Sequence, residues 1–335
     1  MSLVGFRCPD WVPTAGTENP IAHCLGKCPH PCAAPPLLAA IYKENTENHH
    51  TGIYISASML AGSSCARQTV FERTVPFYEL PTKRFWAFRG THAHSMVERA
   101  VGIIEEYGWV SELRMSVDLT YPELPAPKFS KGIFTGKFDT KRPLVITLGG
   151  TCDSYNPQKR ELWDMKSMAD VKAEMMVRGT KPGTFSSNLE DSWVKQLNVY
   201  RWLLANTKIP PAVKAQLKLE GELFPAPEVL GIQGISMMNI PRTGADYDMK
   251  VAAGRGRVLK RFTIDSVPVW PLEETEAFIR EGALQWYRWL ALGEPTPVVP
   301  EDKSWLCDGC PFNGERIKGA PCMPTTERTQ SQENE

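Results

Sequence analysis

The stretch "GGTCDSYNPQKRELWDMK", residues 149–166, holds two strand-like runs on either side of a turn at "SYNPQKR", and its charges decide how the chain is read. Asp153 closes the first run, and Asp164 and Lys166 stand two apart in the second. A side-chain period of two puts Leu162, Asp164 and Lys166 on one face of a strand and Trp163 and Met165 on the other. Burying a carboxylate and an ammonium is costly unless they pair or meet a metal, so the motif is either a structural ion pair or a site. A hairpin through the turn brings Asp153 toward both. Two carboxylates with the backbone carbonyl of Met165 make an all-oxygen set suited to Mg²⁺ or Mn²⁺, and Lys166 beside them could orient or deprotonate a water. Asp139, in "GKFD", competes for the role of Asp153, but only Asp153 abuts the motif strand.

With 335 residues, 42% of them hydrophobic, the chain has room for one large or two modest domains. Its start, "MSLVGFRCPDW", lacks the basic and apolar regions of a signal peptide, and no apolar run nears the roughly 18 residues of a membrane span. A soluble, cytoplasmic protein without a membrane partner is expected. Lys plus Arg and Asp plus Glu each total 38, so no global charge draws the chain to nucleic acid. The basic run "GRGRVLKRF", residues 254–262, is either a solvated face or a local edge for a phosphate backbone. Nine cysteines in a reducing compartment speak for metals or clusters over disulfides.

Residues 1–36 are rich in Cys, Pro and Gly and aperiodic, so they read as an irregular module that needs a cross-link. Residues 37–322 form the main domain, and the polar tail from Met323 reads as disordered. Helices are expected over "PPLLAAIYKENTEN", over "ASMLAGSSCARQTVFER" with Ser56 or Ser58 as N-cap, and over "KRFWAFRGTHAHSMVERAVGIIEEYG". Strand-like runs follow in "KGIFTGKFDT", "PLVITLGGTCDSY" and "ELWDMKSM". Next comes an amphipathic helix over 187–206 with Trp193, Leu197, Tyr200 and Leu204 on one stripe. Two strands in "EVLGIQGISMMNI" and "RVLKRFTIDSVPV" and a last helix in "LEETEAFIREGALQWYRWLAL" complete a mixed α/β pattern.

Two helices add polar groups. His94 and Glu98 lie four apart and share a face while His92 points elsewhere, and Gly90 permits close approach. Gln196 and Tyr200, again four apart, can hydrogen-bond phosphates or bases, although Tyr200 fits equally well as a core residue.

Gly90-x3-His94, Gly150-x2-Asp153, Asp164-x-Lys166 and Gln196-x3-Tyr200, in that order, resemble the motifs of the PD-(D/E)XK nuclease superfamily and its RecB-like branch. The succession spans residues 84–204. The resemblance implies a restriction-endonuclease-like α/β core, a central mixed sheet flanked by helices, with cysteine-rich metal-binding ends. It implies that Asp153 and Asp164 ligate catalytic metals, that His94 ligates or positions one, and that Lys166 acts on the attacking water. Gln196 and Tyr200 would hold the scissile strand. "ISASMLAGSSCARQ" and the distant "CDGCPFNGERIKGAPC" are similar to the arrangement in CRISPR-associated and AddB-type exonucleases, which implies a [4Fe–4S] cluster on Cys65, Cys307, Cys310 and Cys322. A four-cysteine zinc site with the same topology is the alternative.

The N-terminal "HCLGKCPHPC" lies outside that resemblance. Cys8, Cys24, Cys28 and Cys32 could bind a structural zinc, with His23 and His30 as substitutes, or remain unliganded thiols. Cys152 reads as a small buried residue. The whole points to a metal-dependent DNA nuclease, an exonuclease on single-stranded or frayed ends in recombination, repair or replication, with proteins of those processes as partners. A non-catalytic DNA-binding or assembly factor that kept the fold and cluster is the alternative, against which the intact acidic and lysine positions argue.

Overall fold

The computed structural model describes residues 3–9, 13, 15–30, 32–46, 53–62, 65–81, 108–130, 133–169, 190–237, 261–264, 267–297, 307, 310–313 and 322. The expected helix over residues 83–108, with Gly90, His92, His94 and Glu98, lies outside these residues, apart from Gly108, as does the tail from Met323.

The N-terminal segment folds as strand β1 (Leu3–Arg7), strand β2 (Glu18–Pro20), helix α1 (Ile21–Gly26) and helix α2 (Pro35–Thr46). Strand β3 (Ile53–Ser56) then runs into a short helix α3 (Ala57–Leu60), followed by α4 (Ala66–Thr74) and strand β4 (Phe77–Glu79). The single helix expected over 57–73 is thus broken. Ser56 caps α3 by accepting the Met59 N–H, the chain leaves the helix through Gly62 at φ +70°, and Cys65 caps α4 through its sulfur. β1 pairs antiparallel with β2 and parallel with β4, making a small three-stranded sheet.

The larger sheet begins with β5 (Val110–Ser130) and β6 (Ile133–Asn156), an antiparallel pair along nearly their whole length. The alternation Leu113, Met115, Leu119, Tyr121 buries one face of β5. The two separate runs expected in 131–155 are one strand here, kept continuous by pairing with β5 despite irregular register near Pro125 and Pro127. β7 (Glu161–Ala169), β8 (Val229–Met237) and β9 (Arg261–Ile264) complete a mixed sheet in the order β3-β6-β7-β8-β9, with β5 on β6. α5 (Asp191–Asn206) and α6 (Pro211–Leu217) precede β8, and α7 (Leu272–Tyr287) continues into a π-helical turn at Arg288–Leu292. The protein is therefore a mixed α/β fold whose sheet is flanked by helices. Helices α3, α5 and α7 pack on one another and on the sheet, burying the expected stripe Trp193, Leu197, Tyr200 and Leu204. No helix among the described residues is long and apolar enough to cross a membrane.

Two side chains of α5 hold irregular backbone that the sheet does not reach. Fully buried Asn198 donates to the Pro268 carbonyl at 2.9 Å and accepts the Trp270 N–H at 2.8 Å. Arg201 donates to the carbonyls of Pro227 and Trp270 at 2.7 and 3.0 Å. Prolines at 225, 227 and 268 leave carbonyls without neighbouring donors, and side chains supply them. Asn198→Ala removes the partner of the Trp270 N–H and of the Pro268 carbonyl, so a loss of about 1–3 kcal/mol is expected in urea unfolding, the cost of leaving such groups unsatisfied. A loss under half of one kcal/mol, roughly the scale of a neutral surface change, would show that the clamp is dispensable.

Candidate active site

A strand has two hydrogen-bonding edges, and β5 occupies one edge of β6. The other edge is handed from β3, which pairs parallel with Ile146–Gly149, to β7, which pairs antiparallel with Ser154–Asn156. Between the two partners lie residues 150–153. The strands fork there, and the fork collects the polar groups of the motif. Asp153 and Asp164 sit one step beyond the last paired residues, Ser154 and Trp163. Asp153 Oδ2 accepts the Met165 N–H at 2.6 Å, so a carboxylate continues the ladder where backbone pairing stops. β5 is irregular at the same level, because the pairing skips Glu112, which adopts φ 51°, and Asp153 opposite it.

Both acids are buried, Asp153 at 7% and Asp164 at 4% exposure. Lys166 Nζ stands 2.7 Å from Asp164 Oδ2 and donates to Gln196 Oε1 at 3.0 Å. Gln196 Nε2 donates in turn to the Tyr200 hydroxyl at 2.9 Å. Lys166 has no acceptor atom, so Gln196 must present its oxygen to the lysine and its amide nitrogen to the tyrosine. Helix α5 thus holds the far end of a chain that runs Asp164, Lys166, Gln196, Tyr200. Burial, with Asp164 nearby, holds the Tyr200 hydroxyl well above the usual tyrosine range, so it stays protonated. Cys152, fully buried beneath Asp153, is likewise raised by burial and then by Asp153 and Glu112, and it stays a thiol.

The two glycines before the acids admit aromatic rings on opposite faces of β6. A Cβ on Gly149 would lie 2.6 Å from the Tyr54 hydroxyl, and one on Gly150 would lie 2.5 Å from the Tyr200 ring. The spacings Gly150-x2-Asp153 and Gln196-x3-Tyr200 are therefore halves of one contact, because Tyr200 reaches the fork only over a bare backbone. On β7, Trp163 covers Gly231 of β8 in the same way and fixes the face opposite Asp164.

The structure brings together Asp153, Asp164, Lys166, Gln196 and Tyr200. His94 lies outside the described residues. Asp139 pairs with Ala126 along the β5–β6 ribbon and accepts the Lys141 N–H, well before the fork. Of the basic run, only Arg261 and Phe262 are described, at the start of β9. Glu112 was not legible as a neighbour of the site, because only the alternation of β5 and its pairing with β6 put it opposite Asp153.

The C-terminal cysteines form a tight turn. Cys310 N–H donates to Cys307 O and Asn313 N–H to Cys310 O, both at 3.2 Å, and Cys322 N–H donates to Phe312 O at 2.8 Å. Phe312 packs between Phe71 and Phe77, at ring separations of 5.3 and 5.1 Å, which seats this turn against the helix that Cys65 caps. Arg67 Nη1 lies 4.0 Å from Cys322 Sγ. None of the nine cysteines forms a disulfide, and among the described residues no three His, Cys, Asp or Glu side chains stand at metal-ligating separation.

No protein-family model matches the sequence, and no curated protein matches it. Among solved structures, the "Crystal structure of SSO0001" aligns over 86% of this chain and 96% of that one, at 12% identity and a TM-score of 0.41. A likeness this shallow assigns no function.

Gly150→Ala should push the Tyr200 ring off β6 and cost about 1–3 kcal/mol in thermal or urea unfolding, the range for overpacking. Combining it with Tyr200→Ala should be clearly less than additive, because the clash partner is gone. Strict additivity would refute the contact.

Proposed function

We propose that this chain is a metal-dependent DNA nuclease of the PD-(D/E)XK type, an exonuclease on single-stranded or frayed ends, built on a restriction-endonuclease-like core. The supporting observation is the fork itself: two buried carboxylates and a lysine from adjacent strands meet a glutamine from a helix. A purely structural ion pair needs one acid. Here a second carboxylate stands on the neighbouring strand, and a glutamine takes one of the lysine's remaining donors.

The donor set fits a hard divalent cation. Asp153, Asp164 and the Met165 carbonyl would hold Mg²⁺ or Mn²⁺, which when bound polarises the phosphoryl group and acidifies a coordinated water. His94 would join them. Asp153 is oriented by the Met165 N–H, so the carboxylate and the Met165 peptide move as one unit. Lys166, paired with Asp164 and aimed by Gln196, would donate to the attacking water or to a phosphate oxygen and keep the two in line. The water oxygen bonds to phosphorus, the bond to the leaving strand breaks, and the water's proton leaves to solvent or the leaving oxygen. Gln196 would position the scissile strand with its amide, and Tyr200 would do so through Gln196, since its own hydroxyl is buried in the chain of bonds.

The turn of Cys307, Cys310 and Cys322, seated beside the helix that opens at Cys65, fits a [4Fe–4S] cluster that would tie the two ends of the domain together. DNA ends are the proposed substrate, and recombination or replication proteins the proposed partners.

The 2.7 Å contact of Lys166 with Asp164 also favours a second reading, a DNA-binding or assembly factor in which the pair is structural. Degradation of end-labelled single-stranded and frayed duplex DNA with Mg²⁺ or Mn²⁺ decides between them. Asp153→Asn and Lys166→Ala should each lower the rate at least about 100-fold, the lower range for loss of a group acting on the reacting water. Circular dichroism melts check that both variants are folded. Cleavage retained by both folded variants removes the nuclease reading, and Mn²⁺ titration of the wild type then shows whether the acids bind metal at all.

A further inference from the structure

We infer that Cys8, Cys24, Cys28 and Cys32 form a four-thiolate site for one structural zinc ion, separate from the nuclease fork and from the C-terminal cysteines. The four side chains line one small cavity, together with Phe6, Arg7, His30 and Leu38. Fifteen, three and three residues separate them in sequence, yet the fold brings all four to the lining of one cavity.

Hydrogen bonds fix the backbone or the sulfur at most of these positions. Cys8 follows β1 and is clamped by the β1–β2 hairpin, donating to Thr17 O at 2.9 Å and accepting from Gly16 N–H at 3.0 Å. Its sulfur accepts from Asn19 Nδ2 at 3.2 Å. Cys24 lies buried in α1, where its sulfur stands beside the Phe6 backbone and donates to Asn19 O at 3.8 Å. Cys28 follows the helix at Lys27, whose N–H closes α1 on His23 O at 2.9 Å. Cys32 is bonded by backbone at its own position and at Ala33. Donors aimed at sulfur from outside the cavity spread the thiolate charge and orient the ligands.

The surroundings favour zinc over a bare thiol cluster. Among the described residues of 3–33 there are two short strands and a six-residue helix, far below the about 12–15 residues at which an isolated helix holds in water. Their apolar contacts are few: Leu3, Phe6 and Cys24 share a small core with Leu38, Ile41, Phe77, Cys310 and Phe312. Ion binding adds directly to folding in such a segment. Zn²⁺ suits four thiolates, which it takes tetrahedrally, without redox chemistry. Among the described residues no three of the sulfurs stand at ligating separation, so zinc uptake would draw the four together within this cavity.

The test is elemental analysis of the full chain, expressed in zinc-replete medium and desalted. About one zinc per chain is expected in the wild type, as for a tetrahedral structural site, with or without iron. Cys24→Ser combined with Cys28→Ser should fall to background, while Cys65→Ser and His30→Ala keep the full zinc content. Because the double variant could misfold, Co²⁺ is also titrated into reduced, metal-stripped chain carrying Cys307→Ser and Cys310→Ser, which leaves the N-terminal four intact. Intense sulfur-to-cobalt absorption saturating at one equivalent and displaced by Zn²⁺ is expected. Zinc-free wild type, zinc retained without Cys24 and Cys28, zinc lost with His30→Ala, or no cobalt–thiolate absorption would each overturn the assignment.

Discussion

The exchange of partners along one edge of β6 is the constraint on which the rest depends. A strand cannot hydrogen-bond two neighbours on the same edge at the same place, so β3 must end before β7 begins. Where it ends, unpaired backbone would be costly in a buried sheet. Asp153 resolves part of that cost by accepting the Met165 N–H. The same act fixes a carboxylate at the mouth of the fork, so sheet construction and the placing of this buried acid are one event.

The buried charges beside it survive because each has an assigned neighbour. Asp164 meets Lys166, Lys166 meets Gln196, and Gln196 meets Tyr200. Removing one member leaves another buried and unmatched, which generally costs more than the intact pair contributes. The chain is also anchored sterically. Tyr200 rests where Gly150 has no Cβ, and Trp163 rests where Gly231 has none, so both neighbours of the lysine-bearing strand take an aromatic ring against bare backbone. A site held on strands and one long helix, with packed aromatic supports, is the kind of scaffold that keeps polar groups in register.

The two ends of the chain meet in a second small core. Phe312 packs its ring, tilted, against Phe71 and Phe77, while β1 pairs with β4, so residues some 300 apart close on the same elements. That core is thin in apolar side chains and dense in sulfur, with Cys24 and Cys310 inside it and Cys32 and Cys322 against it. A region that buries so little hydrocarbon is where metal–thiolate bonds, if formed, would add most to stability.

Periodicity alone determined much of this protein. The stripe of α5 and the strand character of residues 161–169 and 229–237 follow from local side-chain spacing, which needs no partner to be read. So does the sharing of one face by Asp164 and Lys166. What spacing cannot express is which edge meets which. The fork at residues 150–153, the break between α3 and α4, the unbroken length of β6 and the approach of Glu112 to Asp153 all arise from pairing between distant segments. Gly150 shows the difference most directly. As a letter it only permits conformations, and it becomes the seat of Tyr200 once helix α5 packs on β6, because steric room has meaning only beside the group that fills it.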